Sequence, residues 1–445
     1  MRTAIIPRRQ HDTALTHRLA SRVVSTIFSF ESLFATFLFI NYFKDIPHLQ
    51  WVEGDLAVLF MVLSIISGLY VFLRRGFRMQ HSAFTLILIF LIFAAYAVAS
   101  LAWTPGNAYA LEKVLLITTY VFWSLAGAAL IIAYDVRRFY RFMVAIFLFA
   151  CWVAFETFLF YLQSGPITFV TPDNAYYLAT ARVLGLGALI TLAYALFWAP
   201  NAWVKVAAFI LFDFFLFLLL VVGARGPLLA TVIAALVPLL IGWRLRASEG
   251  IVLRHYIVPL LGIIAVSSIV FVYYTSVFSD TLTINRLLAL LQPGMEASAA
   301  TRLSYYEAAI PLWLEMPIVG HGIGSWPILI GLGDIRNYPH NIFLEIMVEL
   351  GLIGLVLFIG MTILGLRTLG SWRSIAKDPV RILILMLFVD VFVNAQVTGD
   401  IGYNNVMFGI LGLLMLTRRS VAQAKGSPPD FRPPRLRHSH LPQRM

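Results

Sequence analysis

Long apolar runs separated by short polar connections organise this chain. The runs cover residues 23–42, 55–73, 83–103, 112–134, 142–162, 183–199, 204–222, 227–243, 256–275, 340–366, 381–397 and 402–417. Each has about the length a helix needs to cross a hydrocarbon core of ~30 Å. The pattern predicts an all-α polytopic membrane protein of about 12 transmembrane helices. Its parts would be an inner N-terminal segment (1–22), nine helices (23–275), a large outer loop with short amphipathic helices (276–339), three more helices (340–417) and an Arg/Pro-rich tail (418–445). Composition agrees, with 60% hydrophobic residues, 12% charged and a mean hydropathy of +0.85. The first run follows a basic leader, but it exceeds a signal-peptide core, contains Glu31 and shows no cleavage site, so it is expected to be a retained helix. Cys151 is the single cysteine, which excludes an intrachain disulfide and a cysteine-based metal site.

Charge sets the orientation. With the N-terminus inside, all but seven of the 33 Lys and Arg residues fall in inward segments, among them Arg74, Arg75, Arg78, Arg137, Arg138, Arg141, Arg244, Arg246 and Arg254. Both termini are then inside, and the tail after Arg418 reads as a disordered extension. Topology accounts for most of the net charge of +11, so no nucleic-acid partner is required.

The seven exceptions are Lys44, Lys113, Arg182, Arg225, Arg286, Arg302 and Arg336. Arg225 lies in "VVGARGPLLA", a turn of about four residues; Gly223 and Gly226 permit the turn and Pro227 suits the first helical turn. A guanidinium at membrane depth needs an anion or must snorkel to the interface. Arg182, in "DNAYYLATARVLGLG", has an anionic ligand or a carboxylate such as Glu156 or Asp213 as its alternative partners. In the outer loop, "SYYEAAIPLWLEMP" predicts a short helix with a capping box from Ser304 to Glu307 and a stop at Pro317, with Arg302 just ahead. "PIVGHGIGSW" then offers either a plain glycine-rich turn or backbone N–H groups for a phosphate. Helices beginning near Arg182, Arg225 and His340 would all point their positive ends outward. Arginines beside helix N-termini make an anion site, which implies an outer pocket for a phosphorylated, lipid-linked ligand.

"NYPHNIFLE" (337–345) opens the tenth run. His340 follows Pro339 at the helix start, where the dipole favours a neutral ring and a bound pyrophosphate would oppose it. Asn341, Glu345 and Glu349 recur every fourth residue and share one face. They would support a polar network, pair with the arginines, or be satisfied inside the bundle.

In the order "GARGPLLA", "TRLSYYEAAIPLWLEMPIVGHGIGSW" and "PHNIFLEIMVELGLIGLVLF", the chain resembles the O-antigen ligase and polysaccharide polymerase superfamily over about 225–360, and is most like an O-antigen ligase. The resemblance implies glycan transfer from an undecaprenyl-pyrophosphate-linked donor to a sugar hydroxyl, on the periplasmic face of a bacterial inner membrane. The acceptor would be lipid A core for a ligase, or another lipid-linked repeat for a polymerase. It also implies no metal or other cofactor. Carried over by position, Arg225 and Arg302 would bind pyrophosphate and His340 would activate the acceptor; Arg182 is added from topology. Ala224 stands where a serine often precedes the Arg-Gly pair, removing one phosphate hydrogen bond. A one-step inverting transfer by a monomer open laterally to membrane lipids fits these parts. The rivals are a metal-dependent transferase using Glu53 and Asp55, and a lipid-linked sugar transporter using Glu31, Glu156, Asp213 and Asp390.

Overall fold

A computed structural model describes residues 29–241 and 297–416, apart from parts of 42–53 and 165–174 and the pair 398–399. Every regular element among these residues is helical. In chain order they are α1 (Phe30–Ile40), α2 (Leu56–Arg74), α3 (His81–Ala99), α4 (Ala108–Ile132), α5 (Val136–Ser164), α6 (Tyr177–Phe197), α7 (Ala202–Val222) and α8 (Arg225–Ile241). After 242–296 come α9 (Ala297–Glu315), α10 (Trp326–Leu329), α11 (Ile342–Leu369), α12 (Trp372–Ala376), α13 (Pro379–Ala395) and α14 (Asn405–Leu413).

Seven of the described helices are long and apolar enough to cross a membrane: α2, α3 with its extension to Ala102, α4, α5, α6, α7 and α11. Four more of the expected runs coincide with the shorter helices α1, α8, α13 and α14. The run at 256–275, the first part of the outer loop and both terminal segments lie outside the described residues. Among the described residues, the all-helical bundle thus carries seven full-length candidates for the twelve expected spans.

Polar side chains at the helix starts supply the acceptors that the first N–H groups lack. Asp55 caps α2 through Ala57 N (2.8 Å) and Val58 N (3.2 Å), and Asn201 caps α7 through Val204 N (2.9 Å). This gives Asp55 a structural task; Glu53, its partner in the metal hypothesis, lies outside the described residues.

Helix α6 sits deepest, with 72% of its apolar window buried against 22% for α2. Without a hydrophobic force between helices in lipid, close approach depends on small residues. Gly187 supplies it: a β-carbon there would meet Ala150 of α5 at 2.7 Å and Phe215 of α7 at 2.8 Å. The exposed apolar residues of α2, such as Ile66 and Leu69, suit a helix that faces lipid.

Residues 297–353 depart from expectation in two ways. Helix α9 begins by Ala297, so Ser304 lies inside it and donates to Thr301 O (2.8 Å) rather than capping a start. Arg302 is therefore a mid-helix residue. The helix also runs through Pro311 and ends at Glu315, ahead of Pro317.

The second departure is a break in α11 at Gly351, whose φ of 62° and ψ of −160° interrupt the helix. The glycine-rich loop fills that break. His321 N donates to Val348 O (2.9 Å) and Gly322 N to Glu349 O (2.9 Å), while Leu352 N and Ile353 N donate to Pro317 O (2.9 Å) and Ile318 O (3.2 Å). Ile323 N donates to Ser100 Oγ (3.0 Å). Backbone groups freed inside an apolar bundle need such partners. The N–H groups of Gly320, His321, Gly322 and Ile323 are thus engaged within the protein, which favours the plain-turn reading of "PIVGHGIGSW".

Candidate active site

The loop after α10 leads to His340 and is anchored from both sides. Asp334 accepts from Ala108 N (2.6 Å) and Tyr109 N (3.2 Å), capping α4 from more than 200 positions away. Asn341, not His340, is the N-cap of α11, accepting from Phe343 N (3.0 Å) and Leu344 N (3.1 Å). His340 stands one residue before the cap, in the left-handed region with φ 57°. A histidine held there is strained by ~1–3 kcal/mol unless its surroundings dictate it.

Those surroundings are aromatic. The His340 ring is nearly parallel to Tyr305 of α9 (centroids 6.3 Å apart, 6° between planes) and edge-on to Tyr338 (4.5 Å). Tyr306 O–H donates to His340 O at 3.4 Å. The tyrosines leave Nδ1 of the imidazole buried and without a hydrogen-bond partner. Burial, reinforced by the nearby Arg302 cation, pushes the ring down to about 4, so His340 is neutral at physiological pH.

Behind His340, Tyr338 interacts with Tyr176, Arg336, Arg182 and Asp400, and burial pushes its phenol up to about 12. Arg182 is the sixth residue of α6. It interacts electrostatically with Tyr176, Tyr338 and Asp390. Asp390 is otherwise bonded by Thr231 of α8 (3.0 Å).

Arg225 is the first residue of α8 and follows a turn of only Gly223 (φ 78°) and Ala224. Helices α6 and α8 run in the same direction and touch where Thr231 lies against Gly185. Counting back from that contact at 1.5 Å per residue places Arg182 about 4.5 Å and Arg225 about 9 Å toward the same end. Three arginines (182, 225 and 302) and a neutral histidine thus gather at one end of the bundle.

The other described exceptions have structural partners. Lys113 is fully buried and paired with Glu345 (2.5 Å) and Glu349 (2.7 Å), both also fully buried. Glu345 further accepts from Ile401 N (3.2 Å). Of the three roles left open for these glutamates, they therefore serve the bundle interior. Arg336 lies over the Tyr403 ring at 3.5 Å and 3.7 Å from Asp400. Lys44 and Arg286 fall outside the described residues. Sequence patterning alone did not single out Tyr305, Tyr338 or Asp400. Tyr338, inside "NYPHN" itself, was the available signal.

The acids of the transporter hypothesis have local partners. Glu31 pairs with Arg138 (2.9 Å) and Arg141 (3.0 Å), and Glu156 accepts from Trp152 (3.2 Å). Such pairing neutralises buried charge without requiring a conduction path.

Residues 210–359 match the family model described as O-antigen ligase. The match spans Arg225, Arg302, His340, Asn341, Glu345 and Glu349, and leaves Arg182 outside. No curated protein matches the chain.

Proposed function

We propose that this chain, whose residues 210–359 match the family model described as O-antigen ligase, moves an O-antigen glycan from undecaprenyl pyrophosphate to a sugar hydroxyl of lipid A core. The reaction is set on the periplasmic face of the inner membrane. The observation that carries the reading is His340, neutral with Nδ1 unpartnered, beside Arg302 and at the end of the bundle that holds Arg225 and Arg182.

The geometry supplies both halves of a displacement. Attack by a sugar hydroxyl on the anomeric carbon breaks the bond to pyrophosphate and develops negative charge on the leaving oxygen. Arg225, Arg302 and Arg182 stabilise that charge, with guanidinium forks matched to phosphate. His340 accepts the hydroxyl proton. Pyrophosphate also changes the base: by offsetting the Arg302 cation it raises the His340 pKa from its depressed value, so donor binding strengthens the proton acceptor. Attack from the face opposite the leaving group inverts the anomeric centre. The Lys113–Glu345–Glu349 group holds α4 against the broken helix α11, whose start carries His340.

Purified protein given undecaprenyl-pyrophosphate-linked glycan and lipid A core should yield glycosylated core. If it lengthens the lipid-linked glycan instead and leaves the core untouched, the acceptor assignment is wrong and the protein is a polymerase.

A further inference from the structure

A cavity lies away from Arg182, Arg225 and Arg302. It has a volume of about 630 Å³ and is lined by Tyr140 and Phe147 of α5, Ile190 and Trp198 of α6, and Ala208 and Leu211 of α7. Trp198 follows Arg182 by sixteen positions, about 24 Å along the helix, so the cavity occupies the opposite end of the bundle. By the orientation derived above, on which the leaflet assignment rests, that end is cytoplasmic.

Helices α5, α6 and α7 wall it. Toward the active-site end α5 and α7 are held together by edge-on aromatic pairs, Phe158 with Phe214 (5.4 Å) and Tyr161 with Phe217 (5.8 Å). Phe147, which lines the cavity, packs edge-on against Phe215 (6.4 Å). The space opens at the bundle surface, where Tyr140 is 42% exposed. From Ile190 to Trp198 it extends about 12 Å along the helix axis. That is less than half of a ~30 Å core, a depth suited to an acyl chain of one leaflet and too short for a polyisoprenoid crossing both.

Two cationic residues lie within one helical turn of the lining. Arg137 precedes Tyr140 by three residues and Lys205 precedes Ala208 by three, so each shares a helix face with a lining residue. The ion pairs at this end, among the described residues, join Arg138 and Arg141 to Glu31 and Arg381 to Asp378. Arg137 and Lys205 take part in none of them. The nearby acids are already engaged: Asp135 accepts from Arg137 N (2.9 Å) and Asp378 from Val380 N (3.1 Å). Tyr140 and Trp198, edge-on at 6.0 Å, supply the amphipathic rings that favour headgroup depth.

We infer that this cavity binds an anionic phospholipid of the cytoplasmic leaflet. One acyl chain fills the space between α5 and α7, and the headgroup phosphate sits between Arg137 and Lys205. The site serves neither the glycan donor nor its acceptor.

The test uses the full chain in nanodiscs with phosphatidylglycerol that carries a photoactivatable acyl chain, against phosphatidylcholine with the same chain. Phosphatidylglycerol should label the lining peptides of α5 and α7 in preference, on the order of ten-fold. Arg137→Gln with Lys205→Gln should abolish the preference, while Arg137→Lys with Lys205→Arg keeps it. Ala208→Trp should block labelling by both lipids. Equal labelling of the unaltered protein by the two lipids would overturn the proposal, as would a preference that survives loss of both cations. Displacement of the label by polyprenyl phosphate more readily than by phosphatidylglycerol would also overturn it, reassigning the cavity to the donor's tail. The readout needs no glycan, so it is independent of transferase activity.

Discussion

His340 combines a strained backbone, an unpartnered ring nitrogen and a neighbouring cation, and each has a separate consequence. Asparagine tolerates the left-handed region better than most residues, so His340→Asn should keep the fold while removing the proton acceptor. We expect its transfer rate to fall by about 10²–10⁴-fold with an unchanged unfolding temperature. The pH profile of kcat/KM reports the free enzyme. With the ring depressed to about 4, its acid limb should fall near that value and not near the ordinary histidine range. Arg302 contributes to the depression, so Arg302→Gln should move the limb to higher pH while also raising the KM for donor. A limb that stays put in Arg302→Gln would separate that arginine from the histidine. Arg225→Lys should recover only part of the donor affinity lost in Arg225→Ala, because an ammonium lacks the guanidinium fork.

At the scale of elements, two features hold α11 in its broken form. One is the buried Lys113 pairing with Glu345 and Glu349. Replacing Lys113 by Met strands two carboxylates and should cost about 3–5 kcal/mol. Adding Glu345→Gln and Glu349→Gln to Lys113→Met should restore much of the loss in a thermal unfolding series. The other is the glycine clasp. Gly322 has φ +93° and its added β-carbon would meet Thr104 Cα at 2.6 Å, whereas Gly360 in the same α11 has nothing within 4 Å. Gly322→Ala should therefore lower the unfolding temperature and activity together, with Gly360→Ala close to neutral. Equal effects would mean that the clasp does not support the site.

The whole molecule shows what patterning conveys and what it leaves out. Apolar runs located the helices because length and hydropathy alone decide what lipid can solvate. They did not reveal the break at Gly351, since a glycine inside an apolar run reads the same whether or not a loop hydrogen-bonds into it. The basic residues on the outer side were legible as anomalies, but their meanings were not. Lys113 met its glutamates across 232 positions or more of sequence, and Arg336 met Asp400 and Tyr403 from another loop. Arg182, Arg225 and Arg302 lie at the end of the bundle where His340 stands. Helix starts were placed to within a turn at α8 and α11 and missed at α9, where the Ser304–Glu307 pattern occurs in mid-helix.

The central claim is that His340 takes the acceptor's proton beside arginines that hold a lipid pyrophosphate. Its most direct test is transfer from purified undecaprenyl-pyrophosphate-linked glycan to lipid A core in EDTA, comparing the unaltered protein with folded His340→Asn. The account predicts product from the former and a loss of at least about 100-fold in the latter. Transfer at an unchanged rate by His340→Asn, or transfer that EDTA abolishes, would contradict it.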